Sequence, residues 1–89
     1  MKYVNDKFYN FNPNIKEVIA QNIRKYRKNR NLTQEELALL AEISYDFMRR
    51  IETGKGQVGF SIQTLYKIAK VLEVSIDELM NEKNTEEVK

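Results

Sequence analysis

Arg49 and Arg50 stand side by side in the stretch ISYDFMRRIETGK (residues 43–55), with Tyr45 and Asp46 three to five positions before them. A guanidinium is a rigid fork of N–H donors. It can bind the O6/N7 edge of guanine through two parallel bonds, or grip the oxygens of a phosphate. A nearby aspartate has three uses. It can accept from cytosine N4, hold a neighbouring arginine, or stabilise the positive end of a helix. A tyrosine offers its ring to a thymine methyl or its hydroxyl to a phosphate oxygen. The plainer alternative for each of the four is a solvated surface position.

Other chemistries are poorly supplied. The chain has no histidine and no cysteine, so the commonest general base and every thiolate ligand are missing. Glu35 and Glu36 are adjacent but point in different directions on a helix, and Glu36 is explained by capping. No phosphate-binding glycine loop occurs. The expectation is a protein that is not an enzyme and has no metal and no cofactor. No apolar run approaches the roughly 20 residues that span a bilayer, and the opening MKYVNDKFYNFN lacks an apolar signal-peptide core. Absence of cysteine is compatible with a reducing compartment. These features predict a cytoplasmic protein with no membrane partner.

The formal net charge of +2 conceals an asymmetry. Residues 1–72 hold 13 Lys/Arg against 7 Asp/Glu, whereas residues 73–89 hold 2 against 6. The segment RKYRKNR (Arg24–Arg30) packs five cations into seven residues. It reads either as a solvated helix flank or as part of a surface for an anionic partner.

The elements that must carry these residues are all helical. The 89 residues suit one small domain. Its expected limits are 14–82, between an N-terminal aromatic arm (1–13) and a polar C-terminal tail (83–89). Pro13 and Asn14 mark a helix start, and Ile15, Ile19, Ile23 and Tyr26 form one apolar stripe behind it. Asn31 suits its C-terminal stop. Thr33 with Glu36, and Ser75 with Glu78, have capping-box spacing; Ser44 and Ser61 are plain N-caps. Five helices are predicted, at 15–30, 34–41, 45–53, 62–72 and 76–82, with no strand. The second buries Leu37, Ala38 and Ala41, with Ala38 small enough for the third to cross closely. The third turns Phe47, Met48 and Ile51 inward and Tyr45, Asp46, Arg49, Arg50 and Thr53 outward. At about 100° per residue, Arg49 and Arg50 reach different partners. The fifth packs Ile76 against the fourth and places Leu79 and Met80 either in the core or on a dimer surface.

Residues 19–80 resemble the Cro/C1-type (XRE-like) helix-turn-helix domain of phage repressors and bacterial regulators. The matching fragments occur in order: IAQNIRKYR, LTQEELALLAEIS, FMRRIETGK and TLYKIAKVLEVSIDEL. The resemblance implies an all-α, compact five-helix, lambda-repressor-like domain in which helices 2 and 3 form the helix-turn-helix. It implies a sequence-specific transcriptional regulator that binds double-stranded DNA as a homodimer on a near-palindromic site, with helix 3 in the major groove.

Residue by residue, it places Tyr45, Asp46 and Arg50 at base-reading positions. Gln34 would bond a phosphate and brace the recognition helix, and Arg30 and Lys55 would approach the backbone. Arg27 and Glu52 match a partly buried ion pair tying helix 1 to helix 3. Thr33, at the phosphate-attracting start of helix 2, and Arg49 join the backbone contacts on physical grounds.

Two positions depart from the pattern. Glu42 replaces the usual turn glycine, so the turn is expected to be strained or differently shaped. The loop GKGQVGF is about two residues longer than usual, and Gly54, Gly56 and Gly59 offer either close approach or flexibility. Within the regulatory class the chain reads as a phage-like repressor, a controller protein of a restriction-modification system, or an antitoxin. The competing reading is a protein-interaction module, with a toxin or other acidic protein as partner. The arm's Tyr3, Phe8, Tyr9 and Phe11 suggest packing or dimerisation.

Overall fold

Among the described residues, four of the five helices open on a side-chain cap that the sequence places just ahead of an apolar stripe. The computed structural model describes residues 11–55 and 59–83. Tyr3, Phe8 and Tyr9 of the arm, Gly56 of the loop and the tail beyond Lys83 lie outside the described residues. Within them the elements are α1 (Ile15–Asn29), α2 (Gln34–Leu40), α3 (Tyr45–Thr53), α4 (Ile62–Leu72) and α5 (Ile76–Met80), with no strand. The Oγ of Ser44, Ser61 and Ser75 and the Oγ1 of Thr33 each accept the amide three residues on. In α2 and α5 the reciprocal bond is also made, from the cap amide to Glu36 at 2.9 Å and to Glu78 at 2.8 Å. Helix α1 lacks such a cap: Asn14 donates its own amide to Asn12 Oδ1 at 2.7 Å.

Three helices end on a left-handed residue that is not glycine: Asn31 (φ 59°), Glu42 (φ 61°) and Glu73 (φ 59°). Each lies in the same closure. After α1, Leu32 N–H reaches Arg27 O at 3.1 Å and Asn31 N–H reaches Lys28 O at 3.0 Å. After α2, Ile43 N–H reaches Ala38 O at 3.0 Å and Glu42 N–H reaches Leu39 O at 3.2 Å. These bonds satisfy the last carbonyls of the helix and reverse the chain. The turn at Glu42 therefore keeps its left-handed shape despite a side chain. The closures also shorten two helices by one residue against expectation, with Arg30 and Ala41 becoming caps. Helix α5 stops at Met80, two residues early, because Asn81 turns extended.

The core joins Ile19 and Ile23 of α1, Leu37 and Ala38 of α2, Met48 and Ile51 of α3, Leu65, Ile68 and Leu72 of α4, and Leu79 of α5. Phe47, Ile15, Tyr26 and Ile76 pack against it, partly buried. Leu79 is fully buried, while Met80 is 41% exposed. Helix α5 packs more extensively on α1 than on α4. Asn22 contributes an anchor there: its buried Nδ2 donates to Leu79 O at 2.7 Å and to Asn81 O at 3.1 Å. Gly54 closes α3 at φ 68°, and a Cβ there would meet Ala20 Cβ at 3.0 Å and Glu17 Cα at 3.1 Å. Of the three loop glycines, Gly54 serves close approach, while Gly59 faces open space.

Candidate nucleic-acid interface

Helix α3 is mounted on the core by Met48 and Ile51, both buried, and is held at its far end by Glu52. The Glu52 carboxylate is only 1% exposed, a position that an unpaired charge would not tolerate. Three donors satisfy it. Arg27 Nε lies 2.8 Å from Oε2, Arg27 Nη2 lies 3.1 Å from Oε1, and Gln34 Nε2 donates to the same Oε1 at 2.9 Å. Arg27 Nη1 also donates to Leu32 O at 2.8 Å, and Arg24 Nη1 donates to the Glu52 carbonyl. One carboxylate thereby links α1, the start of α2 and the end of α3. A buried charge network of this kind holds when every member is satisfied.

The opposite face of α3 is open. Tyr45, Asp46, Arg49, Arg50 and Thr53 are all exposed. Asp46 Oδ1 sits 2.9 Å from Arg49 Nη2, and its Oδ2 sits 2.9 Å from Arg50 Nη2. Arg49 also lies over the Tyr45 ring, 5.6 Å from its centroid. The hydrogen bond from Arg49, then the positive charge of Arg50, hold the Asp46 carboxyl below its ordinary value. Asp46 thus holds both arginines in the unbound protein, one of its three sequence-level readings.

The flanks of this face come from α2 and from the segment after α3. Thr33 Oγ1 accepts from Glu36 N at 3.0 Å, which leaves its own hydrogen to donate. Gln34 spends one Nε2 hydrogen on Glu52 and keeps the other, so bracing α3 and donating to an anion are compatible. Lys55 follows Gly54, exposed, with its amide on Thr53 Oγ1 at 3.2 Å. Lys16, Arg50 and Lys55 line one small depression with Ile51, Gly54 and Phe60. Lys16 carried no sequence signal of its own; only the approach of α1 to Gly54 brings it beside α3.

The run RKYRKNR proves to be several features. Arg24 and Arg27 serve the Glu52 network, and Lys25 lies 5.7 Å from the Tyr26 ring centroid. Arg30 makes a loose 3.4 Å pair with Glu73 at the end of α4, which draws its side chain away from α3. In the sequence Asn22 reads as a polar-face residue of an amphipathic helix and Arg24 only as one cation of the run. Among the described residues no group of acidic, histidine or cysteine side chains forms a metal site. None of their helices is long and apolar enough to cross a membrane.

This geometry has counterparts. Residues 23–79 match the helix-turn-helix family. Control protein C.SmaI of Serratia marcescens is 35% identical over 66 residues, covering 74% of this chain and 76% of that protein. The transcriptional regulator SinR of Bacillus licheniformis is 39% identical over 70 residues, covering 79% of this chain. The match spans 62% of the length of SinR. In structure, the N-terminal DNA-binding domain of SinR from Bacillus subtilis superposes with a TM-score of 0.68 at 37% identity, covering 75% of this chain and 96% of that domain.

Proposed function

The chain belongs to the helix-turn-helix family, and on that premise we propose that it is a cytoplasmic, sequence-specific transcriptional regulator that binds double-stranded DNA. It acts as a homodimer on a near-palindromic site, with two copies of α3 entering successive major grooves about 34 Å apart. Tyr45, Asp46 and Arg50 face the base edges. Thr33, Gln34, Arg49 and Lys55 engage the backbone, with Arg30 at the periphery of that track.

The observation that carries this reading is the division of α3. Its inner side is locked by Met48, Ile51 and the Glu52 network, while its outer side presents two guanidiniums and a tyrosine to solvent. Groove recognition needs that combination, because a base-reading side chain is selective only if its helix cannot shift. The similarity to C.SmaI and SinR supports a regulatory role.

Selection of bound duplexes from random DNA, followed by a salt titration, tests the proposal. A two-fold-related motif and an affinity that falls steeply with salt are expected. Absence of any motif, with salt-independent binding, would leave a protein-interaction module as the better account.

A further inference from the structure

Asp46 occupies a position that faces base edges, yet each of its oxygens already holds a charged donor. We propose that Asp46 is a positioning residue: a carboxylate clamp that sets DNA specificity through Arg49 and Arg50, not by accepting a hydrogen bond from a base. The inference rests on the DNA-binding reading above.

The geometry of the helix makes the clamp possible. Arg49 and Arg50 are neighbours in sequence and leave the helix about 100° apart. Asp46 lies one turn earlier and between their two directions, so a short side chain there reaches both, at 2.9 Å each. Each guanidinium commits one N–H donor and keeps the rest of its fork. Arg49 is further restrained by the Tyr45 ring below it. Cytosine N4 is a neutral donor and would have to displace a charge-assisted bond to reach Asp46.

The clamp also changes the charge that DNA meets. Two guanidiniums alone would attract any phosphate. One carboxylate between them cancels half of that charge and lowers affinity for random sequence, where the backbone supplies nearly all the binding. Specific affinity loses less, because Arg50 still bonds its base. The ratio between site and random DNA therefore rises.

The test uses the full chain and its Asp46→Asn variant, on the duplex selected by the unaltered protein and on a random duplex. The clamp predicts that D46N binds random DNA about two- to fivefold more tightly, the scale of an exposed ion pair. The salt slope steepens towards one additional phosphate, about 0.9. Specificity relaxes at the base pair lost in Arg50→Ala, and in an R49A/R50A background D46N leaves base preference unchanged. Two results would overturn the clamp: loss of a base pair distinct from the one lost in R50A, with random binding unchanged, or no change in either quantity. A chain that selects no motif before any substitution fails the DNA-binding reading itself, which separates the two failures.

Discussion

Arg27 and Glu52 are 25 positions apart in the chain and form a buried ion pair with Nε 2.8 Å from Oε2. Through this pair the end of the third helix is tied to the first. Gln34 donates to the other carboxylate oxygen at 2.9 Å, so the same residue also registers α2.

Glu52→Ala strands the Arg27 guanidinium in the interior. Removal of one partner of a buried pair costs about 3–5 kcal/mol, a large share of the stability of a small domain. Urea unfolding followed by circular dichroism measures it. The base preference of the fraction that remains folded should stay close to that of the parent. An unchanged unfolding midpoint would contradict the structural role of the pair.

Glu42 and Gly54 share a left-handed backbone and should respond in opposite senses. Glu42→Gly removes Cβ strain at φ 61° and gives up only a 3.7 Å contact with Lys67, so it stabilises by about 0.5–1 kcal/mol. Gly54→Ala adds strain at φ 68° and pushes a methyl towards Ala20 and the Glu17 backbone, costing about 2–4 kcal/mol. Thermal melts of the two variants should move apart by well over 5 °C, given about 4–8 °C per kcal/mol in a domain of this size.

Asn22→Ala removes both bonds that hold the end of α5 to α1 and leaves the Leu79 carbonyl buried without them. A loss of about 1–3 kcal/mol follows. Hydrogen exchange distinguishes this from a general weakening: the amides of α5 should lose more protection than those of α2 and α3. Uniform loss across all helices would show that the anchor is not local.

The Asp46 carboxyl titrates below its ordinary value of 3.8, held down by Arg49 and then Arg50. Its folded-state value lies under the unfolded one. The Asp46–arginine pairs are therefore fully present above the unfolded value and are lost as pH falls through the lower folded one. A carboxyl-carbon NMR titration should place the inflection below 3.8, and Arg49→Ala should raise it. An inflection at or above that value in the parent protein would contradict the pairing.

Helix positions were legible in the sequence because their signals are local. Thr33, Ser44, Ser61 and Ser75 each cap within three residues, and apolar stripes repeat within a turn or two. Burial of Met48 and Ile51 followed from the same periodicity. The pairing of Arg27 with Glu52 follows only from the family resemblance, since nothing in the spacing of the two residues pairs them. Lys16 and Asn22 look like ordinary polar positions, and Arg24 like one more cation of its run, until α1 is placed against α3 and α5.

The sequence by itself determined the five helices, the two faces of α3 and the family to which the chain is assigned. It did so because capping, periodicity and motif order depend on residues close together in the chain. Only the tertiary structure decided which of the charges in RKYRKNR are buried, what anchors α5, and that Asp46 is shared between two arginines. These outcomes depend on distances across the fold and on side-chain rotamers, which desolvation and competing partners select once the helices have packed.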